Sequence, residues 1–355
     1  MNSEINFSFP LKNAFSKNEI EQDFWKCLYT ATEEKMLHYS VILPKRLQPA
    51  DIVPVDFPEV RLTNIGRYFS VDDSDYLEVW AAYEHCQWEM NASDWLFNRL
   101  AHMGETILHQ RIIVNPAGSG SFADVLSLKT LPSGDEVISR YTVQKDYDPK
   151  QAGGNYVLLK ASCSSQDYEG LANDIYLIVT NWDLINRSNL VTAEQLNTIH
   201  IDNQSSFKVP ASWQVKNLGD NRFVAEHTIN GTNHGVINFY YYSDEKFNTP
   251  NEVLVASTDR FYQTGSGITL THSDLEIIPN ELNEESGYVF YVSAGEIFSA
   301  KDKMRAFYMV AIFKQAGYWC YTEIIGSHRS YQNYYYEANK RCLDLILSTT
   351  QLCVN

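Results

Sequence analysis

No Cys-x-x-Cys pair occurs among the six cysteines, Cys27, Cys86, Cys163, Cys320, Cys342 and Cys353, which excludes a zinc knuckle and a thioredoxin-like motif. In a chain of 355 residues, scattered cysteines read as small buried hydrophobes with free thiols rather than as a disulfide framework. Basic residues are also short. Lys plus Arg number 28 against 44 Asp plus Glu, a formal net charge of −16. A chain of that sign is unsuited to an unaided grip on phosphate backbones or anionic lipid, so no nucleic acid is expected as a partner. Long apolar runs are missing as well: the longest, Ala306 to Phe313, falls short of the roughly 20 residues of a spanning helix. No membrane span is expected. Met1-Asn2-Ser3-Glu4 puts an acid where a secretory leader carries basic residues, so the expected location is cytoplasmic. Without a leader, the Asn-x-Ser/Thr matches at Asn91, Asn186, Asn203 and Asn230 carry no meaning.

Catalytic signatures are absent too. There is no Gly-x-Ser-x-Gly elbow and no His-Glu-x-x-His. Gly118-Ser-Gly120 and Gly265-Ser-Gly267 lack the lysine of a P-loop and the spaced glycines of a dinucleotide site, and read as turns. Glu84-His85-Cys86 are adjacent, so on a strand His85 points away from the other two. His227 and His234 flank Asn230-Gly231, a hairpin signal that would let them meet, but no third ligand shares their spacing. Cys163, between Ser162 and Ser164 and just ahead of a helix, is the best placed thiol for a nucleophile, but with no cysteine-hydrolase signature around it the residue reads as a small one at the end of a buried strand. No catalytic residue, metal ligand or cofactor is assigned. A hydrolase or transferase built on Cys163 or the His227/His234 pair stands as the alternative.

What the chain does have is aromatics, 13% of residues with 23 Tyr and 7 Trp, set mostly in short alternating runs that read as strands. Examples are residues 76–83, 156–161, 236–242, 288–292 and 305–313. Helices are fewer. Ser16 and Glu19 form a capping box ahead of Ile20, Phe24, Cys27, Leu28 and Ala31, spaced as an amphipathic helix. Asp167 is placed to cap a helix with Leu171, Ala172, Ile175, Ile178 and Val179 on one face, Thr249-Pro250-Asn251-Glu252 opens another, and a last one runs through Tyr336, Leu343, Ile346 and Leu347.

The order of features recurs. A strand, a helix ending before glycine, a paired isoleucine, further strands and a closing helix appear twice, with Ile112 and Ile277, and Arg140 and Arg305, each 165 residues apart. Residues 186–206 are polar, as a boundary between domains reads. Strands outnumber helices and do not alternate with them one for one, so the fold class is α+β, with mostly antiparallel sheets covered by helices in two tandem α/β/α sandwich-like repeats. The expected organisation is an N-terminal arm with an amphipathic helix (1–38), a first repeat (39–185), a linker (186–206) and a second repeat (207–355).

Phe207, Val209, Pro210 and Trp213, followed by strands, a helix, further strands and the terminal helix around Tyr335 to Leu347, resemble the PsbP/Mog-type sandwich. The first half departs from it, because Leu43-Pro44-Lys45-Arg46-Leu47 lacks the tryptophan and its closing helix follows a longer loop at Asp146 to Gly154. The resemblance implies a binding module, and a tandem, acidic form is similar to the Eag-type chaperones that hold apolar segments of type VI secretion effectors. Trp80, Tyr240 and Tyr242 stand on strands beside Glu78 and Asn238, a pattern that fits a partner-binding surface and also a core roofed on both faces. The expected function is therefore a non-enzymatic, cytoplasmic adaptor or chaperone, possessing a protein partner with an apolar segment or basic surface. An immunity-type inhibitor of a toxin is the second binding reading.

Overall fold

Contacts divide the chain into two compact units, one of Met1–Gln87 with Asn91–Ala193 and one of Trp88–Met90 with Glu194–Asn355. The computed structural model describes residues 7–52, 61–70, 76–115, 120–148, 150, 152–188, 192–202, 205–219, 221–262, 267–277, 289–301 and 303–352. Gly118 and Gly265 lie outside the described residues.

Unit 1 begins with a strap, residues 7–11, and then a short helix, α1 (Lys17–Asp23). The expected capping box forms, with the Glu19 amide on Ser16 Oγ at 3.3 Å and the Ser16 amide on Glu19 Oε2 at 2.7 Å. The helix does not continue to Ala31. Residues Phe24–Tyr29 form strand β1, which pairs antiparallel with β2 (Tyr39–Pro44). Trp25, Cys27 and Tyr29 alternate toward the core, whereas Phe24 is buried separately against Phe15, with ring centroids 5.0 Å apart, and Leu28 is exposed. Ladder bonds and aromatic β-preference override the helical spacing.

The main sheet of unit 1 contains β3 (Leu47–Pro49), β4 (Thr63–Ser70), β5 (Leu77–Cys86), β6 (Thr106–Asn115), β7 (Gly120–Thr130), β8 (Glu136–Tyr147) and β9 (Gly154–Ser164), with α2 (Ala92–His102) between β5 and β6. Its order is β3-β4-β5-β9-β8-β7-β6, antiparallel throughout. The last strand therefore returns to lie beside the third. The inner face, with Leu77, Val79, Ala81, Val157, Leu159 and Ala161, packs under α3 (Tyr168–Thr180) and under β1-β2-β10, where β10 is Trp182–Leu184. Asp167 precedes α3 but does not cap it: its carboxylate accepts from Ser164 Oγ at 2.6 Å instead. The outer face carries α2, pinned by a buried cluster in which Glu84 accepts from Trp95 Nε1 at 2.9 Å and from Arg99 Nε and Nη2 at 2.6 and 2.8 Å.

Unit 2 repeats this plan. A hairpin of β11 (Leu196–His200) and β12 (Ser206–Pro210) precedes β13 (Gln214–Gly219), β14 (Arg222–Ile229), β15 (Thr232–Ser243), α4 (Pro250–Thr258), β16 (Ile268–His272), β17 (Glu276–Ile277), β18 (Tyr291–Ser299), β19 (Met304–Gln315), β20 (Tyr318–Ser327) and α5 (Arg329–Thr349). The sheet order is β13-β14-β15-β20-β19-β18-β16, with β17 on β18. The bridge of Ser206 to Gln351 stands where β10 joins β2 in unit 1. Leu196–His200 lies within the stretch read as a linker from sequence, and is a strand because β12 supplies its ladder. Asn230 and Gly231, at φ 49° and 79°, make the left-handed turn between β14 and β15. Among the described residues, no helix is long and apolar enough to cross a membrane.

The Glu84 cluster yields a stability test. Glu84→Ala leaves the buried Arg99 charge without its carboxylate, and chemical denaturation should show a loss of about 3–5 kcal/mol. A loss under about 1 kcal/mol would mean that water replaces the carboxylate at no cost.

Candidate functional site

Register places Tyr240 and Tyr242 on the outer face of the second sheet. Arg222 stands opposite Tyr240 on β14, and Tyr321 on β20. The two tyrosine rings lie nearly parallel, 6.2 Å apart at 9°. Cations cover both: Arg222 lies 5.2 Å and Arg260 5.9 Å from the Tyr240 ring centroid, and Lys246 4.8 Å from that of Tyr242. Beneath them Glu323 is fully buried. It accepts from Asn238 Nδ2 at 2.8 Å and Tyr321 Oη at 2.6 Å, and pairs closely with Arg260. Arg222 Nη2 donates to Asn238 Oδ1 at 3.1 Å, so both arginines are fixed through one buried polar network.

Tyr242 meets the edge of Phe247 at 5.3 Å. Phe247 in turn borders an open groove of about 700 Å³ along the solvent face of α4, lined also by Asn251, Glu252, Val255, Ala256 and Asp259. Those α4 positions share one helix face by their spacing. Val255 is 66% exposed there, an apolar floor between the acidic side chains Glu252 and Asp259. Sequence reading found the tyrosines but not the groove, because helix and loop form it together.

Trp80 occupies the outer face of the first sheet and is only 9% exposed. It stands opposite Lys160, which stands opposite Tyr141. The Lys160 ammonium lies 5.3 Å and 5.7 Å from those two ring centroids. Burial lowers the Lys160 pKa, while the Glu105 and Glu78 charges oppose the shift. Glu105 accepts from Tyr141 Oη at 2.8 Å and Ser127 Oγ at 2.7 Å. The signal for Lys160 was a lone lysine inside the apolar run Tyr156 to Ala161.

The residues weighed for catalysis fall in different units, Cys163 in the first and the two histidines in the second. Cys163 is fully buried in the first core, and burial pushes its thiol up to about 12, so no thiolate forms near neutral pH. His227 is also buried. Its ring stacks on Trp213 at 5.0 Å and meets the edge of Trp88 at 5.7 Å, while Nδ1 faces Asn339 Oδ1 at 3.3 Å. His234 instead stacks on Tyr335 at 3.9 Å, and its carbonyl accepts from Asn339 Nδ2 at 2.8 Å. The hairpin thus brings both histidines to Asn339 and Tyr335, close enough for the His234 charge to bear on His227. Glycines make room for that amide, since a Cβ on Gly235 or Gly326 would lie 2.5 or 2.4 Å from Asn339.

No family model matches the chain, and no curated protein does. Among solved structures, the cyanobacterial PsbP protein (CyanoP) of Synechocystis sp. PCC 6803 is similar at 12% identity over 47% of this chain and 98% of its own, with a TM-score of 0.32. The T6SS immunity protein TplEi of Pseudomonas aeruginosa is similar at 10% identity over 88% of this chain and 94% of its own, TM-score 0.23. The same protein complexed with an "L" peptide gives 12%, 93%, 98% and 0.22. The likeness is loose at these scores and carries no functional conclusion.

His227 makes unit 2 acid-sensitive. Burial lowers its pKa from 6.5 to about 4, so the fold favours the neutral ring. Above pH 6.5 the group contributes no pH dependence. As pH falls from 6.5 toward 4 the unfolded chain binds the proton first and stability drops, by about 3 kcal/mol at most. Urea unfolding across that range should show a shallower loss for His227→Phe than for the unaltered chain. Equal slopes would show that the ring is not held neutral.

Proposed function

We propose that the chain is a non-catalytic protein-binding module, an adaptor or chaperone, whose partner presents an apolar segment flanked by Lys or Arg. The observation that carries this reading is the α4 groove, where exposed Val255 lies between Glu252 and Asp259 beside Phe247 and the Tyr240–Tyr242 pair. An apolar floor gains from burying a partner's side chains, and the flanking carboxylates select the charge beside them. A chain of net charge −16 steers a basic partner over longer range. The buried Cys163 thiol, and a histidine pair engaged by Asn339 and Tyr335, favour the same reading over a hydrolase or transferase.

In this reading Tyr240 and Tyr242 stiffen the groove's supporting wall and anchor the partner at its rim. Trp80, with little exposed surface, acts mainly through the packing of Lys160. The proposal extends to a cytoplasmic chaperone of a bacterial secretion system, in keeping with the Eag-type resemblance. An immunity-type inhibitor is the variant in which the partner is one basic toxin, and loss of the gene then harms cells only when that toxin is present.

Affinity purification from the native organism at several salt concentrations, with Val255→Arg and Tyr240→Ala run in parallel, tests the proposal. A stoichiometric partner should be retained by the unaltered chain, should associate more slowly as salt rises, and should be lost with Val255→Arg. Tyr240→Ala should cost about 2 kcal/mol or more of binding with little change in melting temperature. Absence of a stoichiometric partner, or a partner held equally by Val255→Arg, would overturn it. A large fall in melting temperature for Tyr240→Ala would assign that ring to the core.

A further inference from the structure

The inner faces of the two large sheets are covered differently. In unit 1 the strap, residues 7–11, roofs β6, β7 and β8 without joining a ladder. Side chains hold its backbone. The Ser8 amide donates to Glu169 Oε1 at 2.9 Å, and the carbonyls of Phe7, Ser8, Pro10 and Leu11 meet His109 Nε2, Tyr168 Oη, Arg140 Nη2 and Tyr176 Oη at 3.1, 2.7, 2.9 and 3.2 Å. Phe7 is buried edge-on to Tyr168 at 5.7 Å, and Phe9 stacks on His109 at 5.5 Å, with the Arg140 guanidinium 4.2 Å from its ring centroid. Asp124 and Leu126 are buried beneath, and Asp124 fixes Arg140 through two bonds of 2.8 Å. The unit therefore holds an extended Phe-Ser-Phe-Pro segment on its sheet.

In unit 2 the same half of the sheet is β16, β18 and β19, in register at Thr271–Glu296–Phe307 and Thr269–Phe298–Arg305. Among the described residues its inner face is thinly covered: Thr269, Thr271 and Ala294 are exposed, Phe298 is 39% exposed, and Glu296 between them is half-buried with His328 Nε2 at 2.9 Å. The opposite face of the same strands is closed, with Leu270, Ser293 and Ile297 buried. Phe307 and Met309 form the inner wall of this shelf, half-buried beside α5, where Tyr336 meets the edge of Phe307 at 4.6 Å. Arg305, its side chain 59% exposed and 3.9 Å from Glu296, stands at the edge in a position to donate to a carbonyl, as Arg140 does.

We infer that this shelf of unit 2 docks an extended segment of a protein partner bearing two aromatic side chains at alternate positions. The fold itself shows the manner of recognition, rings laid on the sheet and side chains bonding the backbone. The strap of a second copy is not the occupant, because Phe7 belongs to the unit 1 core and the strap's backbone is already bound. The inference rests on the binding reading above but uses the opposite face of the second sheet from the α4 groove, so the two fail separately.

The probe is a fluorescein-labelled synthetic peptide of residues 7–16 of this chain, titrated against the full protein by fluorescence polarisation. Saturable binding is expected with a Kd of about 100 µM or tighter. Ala294→Lys, which fills the shelf, should weaken it about tenfold or more, as should serine in place of both aromatics at the first and third positions of the peptide, whereas Val255→Arg should leave it unchanged. Thr271→Lys on the neighbouring strand repeats the block independently, and both variants should keep the native melting temperature. Absence of saturable binding overturns the inference. So does binding that survives both lysine variants, which would mean that the peptide exchanges with the strap in unit 1.

Discussion

A seven-stranded sheet spans roughly 30 Å across its strands, and one helix covers only about 10 Å of that width. The second sheet, with β17 added, has eight strands, and among the described residues each unit has two main helices, one per face. The return of β9 beside β5, and of β20 beside β15, sets the problem, because it puts the longest strands at the centre and leaves four-stranded and three-stranded flanks to be roofed. In unit 1 the small β1-β2-β10 sheet and the strap take up the inner face that α3 leaves over. In unit 2 the β11-β12 hairpin and the long α5 cover part of it, and among the described residues the β16-β18 flank is covered only thinly, with His328 on Glu296. The shelf of unit 2 follows from this shortage of cover rather than from any chemical motif.

Where cover is present, buried charge pairs fix its position. Glu84 with Arg99 locks α2, Asp124 with Arg140 locks the strap, and Glu323 with Arg260 locks the turn after α4. Apolar contact alone would let a helix slide along a sheet, whereas a bidentate pair has one good geometry. Such pairs cost desolvation and contribute little net stability against an apolar substitute. Their effect here is positional, and it explains why two residues as different as Tyr240 and Phe9 both lie near an arginine that is itself bound to a carboxylate, Arg260 and Arg140.

The alternation of aromatics made β5, β15 and β19 legible from sequence, and Thr249-Pro250 marked the start of α4. The misreadings have physical causes. Phe24 and Leu28 imitate a helical stripe, although one is buried by Phe15 from outside the element and the other is exposed, which hides the period of two in Trp25, Cys27 and Tyr29. Leu196–His200 is polar because most of its side chains face solvent, so only its partner strand reveals it. At the candidate sites, Tyr240 and Tyr242 were visible because each carries its own signal. The α4 groove and the strap's holders were not, since a groove belongs to two elements at once and a carbonyl bound by Tyr168 or Arg140 leaves no trace in the bound residue's type.

The assignment of Trp88–Met90 to unit 2, between two stretches of unit 1, makes the units inseparable by cutting. Trp88 packs against His227 and Tyr335, and Glu89 joins Arg341 Nε at 3.0 Å while its amide meets Glu194 at 2.6 Å. A fragment of residues 194–355 would have an aromatic cage without one wall and a buried arginine without its acid. A cut at residue 193 would therefore yield an incomplete second unit, short of the three residues that the earlier part of the chain lends it.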